Sequence, residues 1–207
     1  MKTFLFQGDS ITDADRQRER EDTYSYGLGY PNLVAADLGL SHPGEFRFLN
    51  KGISGDRSTS VYDRMYTDIV NLKPDYMSIL IGVNDVWHGI NGENGVSPER
   101  YEQIMTMLFE DLLAKLPDIK IAVLEPFVLK GTATEARWED FYNGTKAVAQ
   151  KAKAVAEKFG FTFVPLQDKF NELNKIAPSD CWLTDGVHPA PAGHRVIANE
   201  LIKALGF

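Results

Sequence analysis

Short β-rich runs alternate with longer helical patterns from one end of the chain to the other, and this alternation limits the fold more than any other feature. The runs cover residues 3–6, 46–49, 77–81, 119–124 and 161–166, each too short for a helix and rich in Ile, Val and Phe. Between the third and fourth runs, Ser97 can cap a helix whose first residue is Pro98. Tyr101, Ile104, Met105, Leu108 and Leu112 then share one face until Pro117. Val148, Ala152, Val155 and Phe159 repeat at helical spacing before Gly160, as do Ile197, Leu201 and Leu205 before Gly206. Right-handed crossovers lay a helix over the sheet between successive parallel strands. The expected fold is therefore a three-layer α/β/α sandwich around a five-stranded parallel sheet. Ligands of such sheets sit beyond the carboxyl ends of the strands, near a switch in strand order.

A length of 207 residues suits one domain spanning 1–207, and no repeat, low-complexity tract or linker divides it. The charged stretch at residues 13–22 and the Gly/Asn-rich stretch at 89–95 read as surface loops. Lys and Arg number 22 against 29 Asp and Glu, so the formal charge is −7 and phosphate backbones are repelled. Nucleic acid is excluded as a partner on that ground. Cys181 is the only cysteine, which rules out an internal disulfide or a multi-cysteine zinc site and suits a reducing compartment. The chain opens Met1-Lys2-Thr3-Phe4-Leu5-Phe6 and reaches Gln7-Gly8-Asp9 without the apolar run of ~7–15 residues that a leader needs. No stretch approaches the ~18–20 apolar residues of a membrane span. A cytoplasmic protein is expected.

Four blocks fall at the strand ends or before the last helix. Gly8-Asp9-Ser10-Ile11-Thr12-Asp13 follows the first run, Asn50-Lys51-Gly52-Ile53-Ser54-Gly55-Asp56 the second, and Gly82-Val83-Asn84-Asp85 the third. Asp185-Gly186-Val187-His188-Pro189 precedes the final helix. Singly, each reads as a turn or a helix start. Together they supply what acyl transfer by a serine requires: a nucleophile, a base, a carboxylate that orients the base, and donors for the oxyanion. Ser10 fits the nucleophile, His188 the base and Asp185 its orienting carboxylate. The N–H groups of Ser10 and Gly55 and the Asn84 amide fit the oxyanion hole, since Gly55 lets a substrate oxygen approach the backbone and Asn84 donates without charge.

These ordered blocks resemble those of the SGNH hydrolases, the GDSL esterases and lipases, over residues 8–188. The resemblance implies a flavodoxin-like sheet, a Ser10–His188–Asp185 triad, an oxyanion hole of Ser10, Gly55 and Asn84, and no metal or organic cofactor. The wider strings Asn50-Lys51-Gly52-Ile53-Ser54-Gly55, Lys73-Pro74-Asp75 and Ile81-Gly82-Val83-Asn84-Asp85-Val86-Trp87 look closest to bacterial intracellular acetyl-xylooligosaccharide esterases. An acetylated sugar or xylooligosaccharide is then the expected substrate, and a homo-oligomer the assembly the resemblance suggests. The Gly-x-Ser-x-Gly elbow of ordinary α/β-hydrolases is missing.

The same residues fit other readings. A lysophospholipase or thioesterase uses the same machinery on another acyl group. Asp9, Asp13, Asp56, Asn84, Asp85 and His88 could hold metal in a phosphoesterase, although an early Asp-x-His pair is missing. A noncatalytic sugar-binding domain is a third possibility, because fold does not fix function. Trp87, His88 and Asp9 are candidate substrate contacts, with bracing of the turn as the alternative for Asp9. Tyr24, Tyr26, Tyr30 and Trp138 are candidates for an aromatic rim. His42 reads as a solvent-exposed turn residue and His194 as packing or polar surface.

Overall fold

The computed structural model describes residues 1–20, 22–92 and 94–207. Its strands β1 (Lys2–Gly8), β2 (Phe46–Asn50), β3 (Tyr76–Leu80), β4 (Lys120–Leu124) and β5 (Thr162–Val164) follow the five apolar runs. They form one parallel sheet in the order β2-β1-β3-β4-β5. The chain moves one way from β1 to β2 and then crosses back to β3, so the carboxyl ends of β1 and β3 flank a crevice.

The helices are α1 (Ser10–Asp13), α2 (Tyr30–Ser41), α3 (Ser58–Asp63), α4 (Met65–Asp68), α5 (Val83–Ile90), α6 (Pro98–Lys115), α7 (Trp138–Phe159), α8 (Gln167–Leu173) and α9 (Pro191–Leu205). Alternation along the strands sorts side chains between two cores. Phe4, Phe6, Phe48 and Tyr76 pack against Val34 and Leu38 of α2 and Ile197 and Leu201 of α9. Leu5, Met77, Ile79 and Ile121 pack on the opposite face against Leu108 of α6 and Val148 and Val155 of α7. The three-layer sandwich follows. Covering both faces explains why the strands read as continuous apolar runs: all five residues of β3 are buried.

Local chemistry accounts for the helix ends. The Ser97 hydroxyl accepts the Arg100 N–H at 3.3 Å and Pro98 opens α6, while Gly160 and Gly206 close α7 and α9 in the left-handed conformation. Helix α2 escapes a periodicity reading because its apolar residues do not form one stripe: Tyr30, Val34 and Leu38 are buried, but Leu40 points to solvent. Helix α5 spans eight residues and begins inside the Gly-x-Asn-Asp block, which alone reads as a turn.

Several expectations need correction. Asp13 is buried, because its carboxylate is held from three directions, so residues 13–22 do not begin as a surface loop. In the 89–95 stretch, Gly89 and Ile90 complete α5, and the exposed turn follows. Glu21 and Glu93, within these two stretches, lie outside the described residues. His42 is half-buried rather than exposed; its ring meets Phe46 and Phe207 edge-on at 5.9 and 5.7 Å. His194, by contrast, takes the packing alternative: it is buried in α9 and its Nδ1 accepts the Tyr30 N–H at 3.2 Å. Burial, reinforced by the nearby charge of His188, lowers its pKa to about 4. No helix among the described residues is long and apolar enough to cross a membrane.

Candidate active site

Strand β1 delivers Ser10 to the crevice through a turn that only glycine permits. Gly8 has φ +155°, and an added Cβ would lie 2.4 Å from the Leu80 carbonyl oxygen and 2.3 Å from Thr12 Oγ1. Asp9 then caps α1, its Oδ1 accepting the Ile11 N–H at 3.0 Å. Ser10 is the first residue of that helix, and its N–H donates to no described residue.

His188 arrives from 178 residues away, and its Nε2 stands 3.0 Å from Ser10 Oγ. The segment carrying it is closed by the antiparallel Leu183–Pro189 bridge and by the Thr184 N–H, which donates to the His188 carbonyl at 2.8 Å. Within it, Asp185 Oδ1 accepts the N–H groups of Val187 and His188 at 2.9 and 2.8 Å, while Oδ2 lies 2.7 Å from His188 Nδ1. Partial burial opposes the Asp185 charge, but these hydrogen bonds outweigh it and hold the pKa at about 2. An ionised carboxylate can only accept, so the proton of the neutral imidazole lies on Nδ1 and the Nε2 lone pair faces Ser10 Oγ–H.

The hydrogen bond to Asp185 raises the His188 pKa above its ordinary 6.5, against the opposing effect of desolvation. A base must be neutral to accept a proton, so kcat/KM is expected to rise with pH along a limb centred above 6.5. Initial rates on a neutral aryl ester across pH 5–9 measure it. A limb centred below 6.5 would contradict the His188–Asp185 coupling.

The loop after β2 approaches from the other side. The Ile53 N–H donates to the Gly8 carbonyl at 3.1 Å, and the Gly52 N–H to Asn50 Oδ1 at 2.9 Å. Gly55 is exposed at φ +86°, a conformation other residues adopt only with strain, and its N–H donates to no described residue. Asn84, in the first turn of α5, spends one Nδ2 hydrogen on the Asp56 carbonyl at 3.1 Å, which leaves its second hydrogen unassigned. Free donors at Ser10, Gly55 and Asn84 are thus carried on three segments that hydrogen bonds join at the sheet's carboxyl edge.

Sequence reasoning missed the groups that hold this loop. Arg64 donates to Asp56 Oδ2 and to the Lys51 carbonyl, both at 2.8 Å, and to the Gly8 carbonyl at 3.3 Å. Asp13 Oδ2 accepts the N–H and Oγ–H of Ser54 at 3.0 and 3.1 Å and a hydrogen from Arg18 at 2.7 Å. Burial works against the Asp13 charge, yet its partners hold the pKa below the usual carboxylate range. One end of α1 therefore carries Ser10, and the other clamps the residue before Gly55. Asp85, buried in α5, accepts from the Ser58 N–H at 3.1 Å and from the Ser58 hydroxyl, pinning the start of α3; burial raises its pKa to about 6. Asp13, Asp56 and Asp85 offered a sequence signal, by their places in the first three blocks, and Arg64 offered none.

The remaining candidates separate. The Trp87 ring lies 6.1 Å from the His188 ring and edge-on to Phe141 at 5.5 Å. His88 is half-buried, with Nδ1 3.2 Å from Asn94 Oδ1. Asp9 is buried beneath the site, where desolvation raises its pKa to about 7. Tyr30 does not belong to a rim: it is fully buried, its hydroxyl 3.0 Å from Thr12 Oγ1, because it faces the aromatic core. Tyr26 packs on Phe48, Trp138 stacks on Tyr142, and Tyr24 is exposed. Three of the four acidic residues of the metal reading are spent elsewhere, Asp13 on Ser54 and Arg18, Asp56 on Arg64 and Asp85 on Ser58, while Asp9 caps α1 through Oδ1. Among the described residues no three His, Cys, Asp or Glu side chains gather as a metal site.

Residues 6–196 match the GDSL-like Lipase/Acylhydrolase family. The chain belongs to that family. An acetylxylan esterase of Geobacillus stearothermophilus is 34% identical to it, over 98% of this chain and 93% of that protein. The crystal structure of Axe2, an acetylxylan esterase from the same organism, superposes with a TM-score of 0.88 at 30% identity, covering 100% of this chain and 94% of that one. A Parabacteroides merdae chain described as a GDSL-like lipase superposes with a TM-score of 0.91 at 36% identity, covering 99% and 95%. The parallel sheet and flanking helices are thus those of SGNH hydrolases, and this member of the GDSL family is a carboxylic-ester hydrolase.

Proposed function

We propose that the protein removes acetyl groups from small acetylated sugars, xylooligosaccharides foremost, through an acyl-enzyme on Ser10. The Ser10 Oγ–His188 Nε2 contact of 3.0 Å, continued to Asp185 at 2.7 Å, carries this reading. Ser10 Oγ attacks the ester carbonyl as its proton passes to His188 Nε2, and Asp185 steadies the imidazolium. The carbonyl oxygen becomes an oxyanion that accepts from the N–H groups of Ser10 and Gly55 and from Asn84 Nδ2. Collapse breaks the bond to the sugar oxygen, which takes the proton from His188 and leaves. Water then attacks the acyl group, giving a proton to His188, and the second collapse releases acetic acid and restores Ser10.

Each supporting group has a place in this scheme. Trp87, beside the base, offers a ring on which a sugar can stack, and His88 stands one residue on in the same helix. Asp9 is assigned to bracing the Ser10 turn, since among the described residues its buried side chain hydrogen-bonds only the Ile11 N–H, and its carbonyl accepts the Thr12 and Asp13 N–H groups. The acetylxylan esterase relative supports the acetyl-sugar substrate, and the exposed free thiol of Cys181 suits a reducing cytoplasm.

Initial rates on acetylated xylooligosaccharide, a long-chain acyl ester and an acyl-CoA test the substrate. The acetylated sugar is expected to lead by at least about tenfold in kcat/KM, a modest demand on side-chain discrimination. A faster long-chain ester or acyl-CoA would turn the assignment to a lysophospholipase or thioesterase. In the same assay Asn84→Ala is expected to lower kcat by on the order of 10²-fold with little change in KM, because an oxyanion donor acts chiefly in the transition state.

A further inference from the structure

One pocket contradicts the acidity of the chain. About 150 Å³ in volume, it is lined by Arg16, Arg18, Arg20, Arg47 and Lys51 together with Asn50, and among the described residues no carboxylate lines it. Five of the chain's 22 cationic side chains meet there although the formal charge is −7.

Neighbouring carboxylates offset only part of this charge. Arg18 pairs with Asp13 at 2.7 Å, Arg20 with Asp22, and Lys51 approaches Asp68 at 3.7 Å. No carboxylate of the described residues lies within ion-pair distance of Arg47, which is exposed. Arg16 is the more telling residue. Its side chain is only 8% exposed, and its Nε–H donates to the Gly52 carbonyl at 2.8 Å. Asp13, 3.9 Å from Nε, is already engaged by Ser54 and Arg18. The two terminal amino groups of Arg16 donate to no described residue, and neither is sealed from solvent. Desolvation depresses the Arg16 pKa, the mark of a cation lodged without full compensation. A guanidinium in that state is built to donate two parallel hydrogen bonds to an oxyanion.

We propose that this pocket binds a small oxyanion, the phosphate or carboxylate group of an acidic metabolite, with the Arg16 fork as its anchor and Arg47, Arg20 and Lys51 as flanking charges. The volume admits a head group of that size. The place is suggestive as well. Arg16 lies three residues beyond the end of α1, and Asn50 and Lys51 directly precede the loop that carries Gly55. An anion there would stiffen the Gly52 end of the loop through Arg16 without touching Ser10, His188 or Asp185. The site stands apart from the ester reading, and its test reads binding rather than turnover.

Calorimetric titration of the full chain with inorganic phosphate and with D-glucuronate, at constant ionic strength and with sodium chloride as control, decides the matter. Saturable binding with a Kd of about 1 mM or tighter is expected for at least one of them. Tighter phosphate points to a phosphate ester as the natural ligand, and tighter glucuronate to a sugar acid. Arg20 and Arg47 are exposed and outside the proposed catalytic set, so the double variant Arg20→Gln/Arg47→Gln should fold and keep its rate on 4-nitrophenyl acetate. It is expected to bind the preferred anion at least tenfold more weakly. No saturable heat with either anion, a response that chloride reproduces, or unchanged affinity in the double variant would overturn the site.

Discussion

Ser10→Ala is expected to lower the hydrolysis of 4-nitrophenyl acetate by on the order of 10⁴-fold or more, leaving only what positioning and the oxyanion donors contribute. The variant keeps the Ser10 N–H and so keeps that donor, while the atom that attacks is gone. His188→Ala should cost a similar factor, because Ser10 Oγ then has no acceptor 3.0 Å away for its proton. Losses from groups that act as a unit do not add, so the double variant should be scarcely slower than either single one. Neither side chain belongs to the two apolar cores, and unchanged circular dichroism and melting temperature should accompany the loss. Full activity in Ser10→Ala would remove the acyl-enzyme scheme.

Asp185→Asn isolates the proton's position. The asparagine Oδ1 can still accept the Val187 and His188 N–H groups now held at 2.9 and 2.8 Å, so the loop should persist. Its Nδ2 then faces His188 Nδ1 and donates to it, which moves the ring proton to Nε2. That atom can no longer take the serine proton, and kcat is expected to fall by on the order of 10⁴-fold. The pH profile gives a second readout. Asp185 holds the His188 pKa up, so its loss should move the activity limb of the residual rate to lower pH, even as the rate falls. A variant with near-native kcat, or with the limb unmoved, would assign Asp185 to loop structure alone.

How much of this was legible beforehand differs by element. Helix α6 could be read to its ends because Ser97, Pro98 and Pro117 act through neighbouring backbone groups, whatever the rest of the chain does. Helix α2 could not, because apolar residues such as Leu33 and Leu40 lie off the buried Tyr30–Val34–Leu38 face, and only packing against α9 and the sheet decides which side is covered. Within the site, Ser10, Gly55 and Asn84 stood out by residue type after strands, and Asp185 and His188 by residue type before the final helix. Arg64 did not, and nothing showed that Asp13 would clamp Ser54, since a charged side chain in a polar stretch carries no mark of what it will hold.

By itself the sequence determined the alternating elements, the parallel sheet they require and the set of residues able to carry acyl transfer. All of these depend on residue type, periodicity and order, which are local properties. Only the tertiary structure decided that Ser10 and His188, 178 residues apart, stand within one hydrogen bond. It alone decided that Asp13 is buried, that Tyr30 belongs to the core rather than a rim, and that five cations of an acidic chain share one pocket. Burial and proximity are set by strand order and helix packing, and the energy of a charge or a polar group depends on its surroundings far more than on its neighbours in sequence.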